Sequence, residues 1–134
     1  MGIRKRNKAN ILKSQKKKLA IAKLRNCPIS PRKMRSVADL LRGKEVGKAL
    51  NILKFNPRHA SKFLEKLLLS AISNWQSKNE DQSIESTKII VNEIKVDGGR
   101  ILKRLRPAPQ GRAHRIRKRS NHVTVVLESN NEIK

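Results

Sequence analysis

Tyrosine is absent from this 134-residue chain, and two phenylalanines and one tryptophan bring the aromatic content to only 2%. With so few rings, a sheet that reads single-stranded RNA by stacking bases on aromatic side chains is a poor reading. One cysteine, Cys27, can form neither an intramolecular disulfide nor a cysteine-rich zinc site, and suits a reducing compartment. No apolar run approaches the roughly 20 residues that cross a bilayer, and the basic N-terminus is not followed by the apolar stretch of a secretory leader. The chain is therefore expected to be cytosolic, with no membrane partner. Acidic residues are also scarce, 10 against 33 lysines and arginines, which leaves a formal charge of +23. A compact body of that charge repels itself unless a polyanion neutralises it, which points to nucleic acid.

The length suits one domain with a single core. Along it the charge is uneven. Residues 1–26 hold ten basic and no acidic side chains, and residues 98–119 hold nine and none. Residues 27–97 hold thirteen basic and eight acidic side chains, the balance of an ordinary soluble domain. The pattern is a small body with two cationic extensions, one terminal and one inserted. The first, with Arg4, Lys5, Arg6, Lys8, Lys13 and Lys16 to Lys18, has too few apolar residues to bury itself. It is expected to be disordered in isolation and to order on phosphates.

The body reads as α+β. A short strand is expected over Ala20–Arg25. Ser30 then offers a side-chain N-cap with Pro31 at the first helical position. Met34, Val37, Ala38 and Leu41 follow at helical spacing, with Gly43 placed to close the helix. A second, shorter helix carries Val46, Ala49, Leu50 and Leu53. The strongest pattern starts at Asn56 as cap and runs to about Lys78, with Ala60, Phe63, Leu64, Leu67, Leu68, Ala71, Ile72 and Trp75 on one face. Phe63 and Trp75 are core residues on this reading, ahead of any base-stacking role. After a polar, acidic loop at 79–86, Thr87–Val96 and His122–Glu128 alternate at the strand period. The simplest assembly is a two-layer body of three helices packed on a small antiparallel sheet, with a long β-hairpin and a basic N-terminal arm.

The inserted segment, Gly98 to Arg119, carries seven arginines and two lysines. Arg115, Arg117 and Arg119 alternate at the strand period, while Ile101, Leu102, Leu105 and Ile116 make it more apolar than a flexible linker. Pro107, Pro109 and Gly111 mark a stiff turn. Ten extended residues each way would project roughly 30 Å from the body. Such a ribbon is marginal in water on its own, so its partners are expected to be phosphates, met by bidentate arginine contacts. Charge alone leaves RNA and DNA both open, and an architectural DNA-binding protein could use the same ribbon. A membrane-surface role lacks a basic amphipathic helix with an aromatic apolar face. An enzyme is not expected: His59, His114 and His122 are scattered, Cys27 has no evident base, and no phosphate-cradling glycine loop or metal cluster is present. No cofactor and no metal are implied.

Several of these segments resemble the bacterial large-subunit ribosomal proteins of the L twenty-two family. The likeness rests on Ile29-Ser30-Pro31-Arg32-Lys33-Met34-Arg35, Ala38-Asp39-Leu40-Leu41-Arg42-Gly43-Lys44, Lys103-Arg104 through Pro107, Gly111-Arg112-Ala113, Arg115-Ile116, Lys118-Arg119 and His122-Val123-Thr124-Val125-Val126. It spans residues 22–128, with 1–21 left as a basic extension, the hairpin at about 98–120, and 129–134 as a polar tail. The resemblance implies a structural constituent of the cytoplasmic large subunit that helps subunit assembly. Its implied partners are several ribosomal RNA domains, neighbouring ribosomal proteins and the nascent polypeptide, with no homo-oligomer. It assigns rRNA contacts to Arg32, Lys33, Arg35, Arg100, Lys103, Arg104, Arg112, Arg115, Arg117, Lys118, Arg119 and His122. It also implies a hairpin tip lining the exit tunnel, formed by Arg104, Leu105, Arg106, Pro107, Ala108, Pro109, Gln110, Gly111, Arg112 and Ala113.

Overall fold

The computed structural model describes residues 2–80 and 87–129. Most of the acidic loop, at 81–86, and the tail at 130–134 lie outside the described residues. In chain order the elements are α1 (Ile3–Lys18), β1 (Ala20–Cys27), α2 (Pro31–Ala38), α3 (Val46–Phe55), α4 (His59–Gln76), β2 (Ile89–Pro107) and β3 (Ala113–Ser129). The strands form one antiparallel sheet in the order β1-β3-β2. The α+β expectation holds, with four helices among the described residues instead of three.

The extra helix is α1, where a disordered arm was expected. None of the side chains at 3–14 is buried, so the helix rests on local propensity: Arg, Lys, Ala, Leu and Gln dominate 3–18, and neither glycine nor proline interrupts it.

Period-two alternation puts Ala20 and Ala22 of β1, Val123, Val125 and Leu127 of β3, and Ile89, Val91, Ile94 and Val96 of β2 on one buried face. Val91 and Ile94 are three residues apart yet share that face because a bulge between Val91 and Glu93 inserts an extra residue. The helical layer covers it with Met34, Val37 and Ala38 of α2, Val46, Ala49 and Leu53 of α3, and the apolar stripe of α4. On α4 the expected stripe is buried apart from Phe63, which is half-buried and meets the His59 ring edge-on at 5.2 Å. Ser61, outside the expected stripe, is buried instead.

Helix boundaries differ from the sequence reading in ways that the hydrogen bonds explain. Ser30 is the residue before α2 but makes no side-chain cap; its carbonyl accepts from Met34 N–H at 3.1 Å. The α-helix stops at Ala38, after which Leu40 and Leu41 donate to carbonyls three residues back. These tighter turns still bury Leu41, and Gly43 at φ 70° then sends the chain along β2, donating to Val91 O at 2.9 Å. Asn56 does not cap α4. Its Oδ1 accepts from Arg58 N–H two residues on, an Asx-turn, and the helix begins at His59.

Both outer edges of the sheet are engaged. Residues 43–45 pair with β2 near Ile90 and Val91, and Asn74 and Lys78 from α4 and the residues following it donate to Ile21 O and Leu19 O beside β1. Burial pushes the Cys27 thiol up, as befits a packing residue.

Candidate nucleic-acid interface

Beyond the body, β2 and β3 continue as a two-stranded ribbon that, among the described residues, no helix covers. Pairing runs from Ile101 opposite Arg119 to Pro107 opposite Ala113. Seven residues on each strand give a paired length of roughly 23 Å, shorter than the ten-residue reach expected from sequence. Every residue from 101 to 119 is exposed except the half-buried Ala108. Leu105, an apolar side chain, is 69% exposed.

Register decides which cations share a face, because opposed residues in a ladder point the same way and neighbours alternate. One face carries Lys103, Arg115, Arg117 and Arg119 with Ile101 and Leu105. The other carries Arg104, Arg106, Lys118 and His114 with Leu102 and Ile116. The ribbon is cationic on both sides. A strip built to lie on one flat surface needs charge on only one. The three ion pairs among the described residues, Arg42 with Asp39, Lys48 with Glu45 and Lys95 with Glu93, all sit in the body. Lys48 also holds the Glu45 carboxyl below its usual range through their hydrogen bond.

At the tip the chain turns through 108–112, closed by Ala108 N–H on Arg112 O at 2.9 Å. Gly111 takes the positive φ expected of it, 69°, but Gln110 joins it at 63°, which the sequence did not signal.

The root is the most constrained part. Gly98 lies opposite Asn121 and Ile101 opposite Arg119, so Gly99 and Arg100 together face Ser120 in a one-residue bulge. Ser120 Oγ donates to Arg100 O at 2.6 Å, and a Cβ on Gly99 would stand 2.6 Å from that Oγ. Next to it Asn121 is fully buried and its Nδ2 donates to Ile29 O at 2.7 Å, tying β3 to the loop before α2. None of Gly99, Ser120 and Asn121 was singled out from sequence. A glycine pair at the end of an alternating strand was the signal available.

That tie brings the α2 start beside the ribbon. A cleft of about 600 Å³ has Asn26, Pro28 and Ser30 on one wall and Arg100, Leu102, Arg117, Lys118, Arg119 and Ser120 on the other. Arg32 and Lys33 occupy the exposed first turn of α2. Arg35 is partly committed to the body, since its Nη2 donates to Val96 O at 3.0 Å. His122 accepts Asn26 N–H at Nδ1, 3.0 Å away, with Asn26 at φ 55°; that bond places the ring at the foot of the ribbon. Arg100, Lys103, Arg104, Arg112, Arg115, Arg117, Lys118 and Arg119 all belong to the ribbon, its root or its turn, and of these Arg100, Arg117, Lys118 and Arg119 share the cleft with the loop before α2.

Residues 22–128 match the model of the family described as ribosomal protein L22p/L17e. This chain belongs to that family. Among curated relatives, large ribosomal subunit protein uL22 of Christiangramia forsetii is 66% identical over 98% of this chain and 97% of its own length. The protein of the same name in Flavobacterium johnsoniae is 65% identical over 95% and 93%, and that in Porphyromonas gingivalis 56% identical over 98% and 97%. As an L22p/L17e member the chain is a structural, non-enzymatic protein. The match gives no support to the DNA-binding alternative.

Proposed function

We propose that this chain is a structural constituent of the large ribosomal subunit in the cytoplasm. It binds ribosomal RNA and contacts neighbouring ribosomal proteins. Residues 22–128 act as the ribosomal domain, with 1–21 and 129–134 as appendages. The rRNA contacts are made by Arg32, Lys33, Arg35 and His122 around the root and by Arg100, Lys103, Arg104, Arg112, Arg115, Arg117, Lys118 and Arg119 along the ribbon. The tip from Arg104 to Ala113 lines the nascent-chain tunnel. The chain acts as a single copy and helps the subunit assemble.

The observation that carries this reading is the ribbon's charge on both faces together with its lack of cover from the body. Cations on opposite sides are neutralised together only when phosphates surround them, which a strand pair threaded through folded RNA achieves and a surface-bound one does not. The test is sedimentation of cell extract through a high-salt sucrose gradient. The protein remains with large subunits, because a threaded ribbon leaves only when the RNA around it unfolds. Recovery mainly with chromosomal DNA, or at the top of the gradient, overturns the reading.

A further inference from the structure

Outside both the ribbon and the family match at 22–128 stands α1, a helix whose described side chains, at 3–14, are all exposed. No acidic residue occurs before residue 39. Successive helical residues project about 100° apart, so Arg4, Lys5 and Arg6 point in three directions, and Lys8 and Lys13 add to two of those sides. Ile3 and Ile11 are exposed on one side with Asn7, Asn10 and Ser14 around them, and Leu12 is exposed among the cations, so no continuous apolar stripe forms. The helix thus lacks the apolar face with which an interfacial helix enters a membrane or a helical peptide enters a protein groove. It also has no aromatic residue on which an unpaired base could stack.

We infer that α1 is a second RNA-docking element, a cationic rod that seats between the phosphate rows of double-helical RNA independently of the ribbon. The inference rests on the ribosomal reading above and extends it to a segment outside the matched domain. A single phosphate row meets only one side of such a rod. Arg4, Lys5, Arg6, Lys8 and Lys13 spread over about 200° of the helix, so two flanking rows are needed to meet them all. Phosphates also relieve the repulsion between like charges spaced along the helix, so docking and helix formation reinforce each other.

The test uses the full chain, a hairpin RNA with a duplex stem as probe, and an unpaired oligonucleotide of equal length as comparison. The variant Arg4→Gln/Lys5→Gln/Arg6→Gln/Lys8→Gln binds the duplex about tenfold more weakly at moderate salt, with a salt-dependence slope flatter by about three. Its affinity for the unpaired strand falls less. A second variant, Ala9→Pro, keeps every charge but breaks the helix. It also loses duplex affinity while its melting temperature stays at the wild-type value. Unchanged duplex binding in the quadruple variant overturns the inference. So does an equal loss on both probes, or full binding by Ala9→Pro, since either describes a diffuse charged tail. Failure of the ribosomal reading is read separately, from wild-type protein absent from large subunits.

Discussion

Adding a single methyl group at Gly99 tests whether the ribbon root is as tightly built as its geometry indicates. A Cβ there lies 2.6 Å from Ser120 Oγ and 3.2 Å from the Ser120 carbonyl carbon and oxygen. The hydroxyl cannot swing aside freely, because it donates to Arg100 O at 2.6 Å. Gly99→Ala therefore either displaces backbone in the bulge, an overpacking cost of about 1–3 kcal/mol, or gives up that hydrogen bond at about 1 kcal/mol. Gly98 is the matched control: nothing lies within 4 Å of a Cβ built on it. Gly98→Ala should be neutral or slightly stabilising through the unfolded chain. The assay is thermal melting of the full chain, with hydrogen exchange at the Ile101 and Arg119 amides. For a chain of this size each kcal/mol moves Tm by roughly 3–6 °C, so Gly99→Ala melts several degrees lower and exchanges faster at the root. Ser120→Ala removes the nearest atom, so the double variant loses less than the two single changes added together. Equal melting and exchange in Gly98→Ala and Gly99→Ala would refute the close-approach argument.

Asn121→Ala leaves the Ile29 carbonyl without its donor in a buried site, a loss of about 1–3 kcal/mol visible as a lower urea midpoint. Substituting one ribbon face, Arg115→Ala/Arg117→Ala/Arg119→Ala, and then the other, Arg104→Ala/Arg106→Ala/Lys118→Ala, should weaken incorporation into large subunits in both cases while leaving Tm nearly unchanged. Loss from one face alone would mean that the ribbon lies on a surface and is not surrounded. Deleting Pro107 to Gln110 at the tip should permit assembly but alter tunnel width, read from a density map and from drug sensitivity; no change in either counts against the tunnel role.

Most of the body was legible in the sequence because burial imposes a period on it. Met34, Val37 and Ala38, the α4 stripe, and Val123, Val125 and Leu127 all announce their buried face by spacing alone. The helix starts were less legible. A serine or asparagine before a proline can cap a helix, offer only its carbonyl, or form an Asx-turn, and the choice depends on packing that the local sequence does not encode. The cations of the candidate site were legible by composition, whereas their division between two faces was not. That division follows from the register, which the bulges fix: one residue of slip would move Arg115, Arg117 and Arg119 relative to Lys103 and Leu105. The side chains that set the root, Ser120 and Asn121, are ordinary polar residues whose weight appears only when their partners 20 and 92 residues away are known.

The ribbon is fixed at its root by the body and at its tip by the turn, and is least favourable in between. Lys103 stands directly opposite Arg117, with no carboxylate on either strand from 98 to 119. Like charges in opposed positions destabilise a strand pair by about as much as opposite charges stabilise it, roughly 0.2–1 kcal/mol. A sequence optimised for the free protein would place an acid at one of these positions. Lys103→Glu does so, and hydrogen exchange in the free protein should slow at the ribbon's central amides by about twofold to fivefold. The same change takes one cation from the face that meets phosphate and adds a repulsive charge, so incorporation into large subunits should fall. If Lys103→Glu left the free ribbon's exchange unchanged, cross-strand repulsion would not be what limits its order. If it stabilised the ribbon and still incorporated normally, the charge on that face would serve solubility and not RNA. A gain in isolation coupled to a loss in the particle is the outcome that follows if the ribbon's missing counter-charge belongs to its partner.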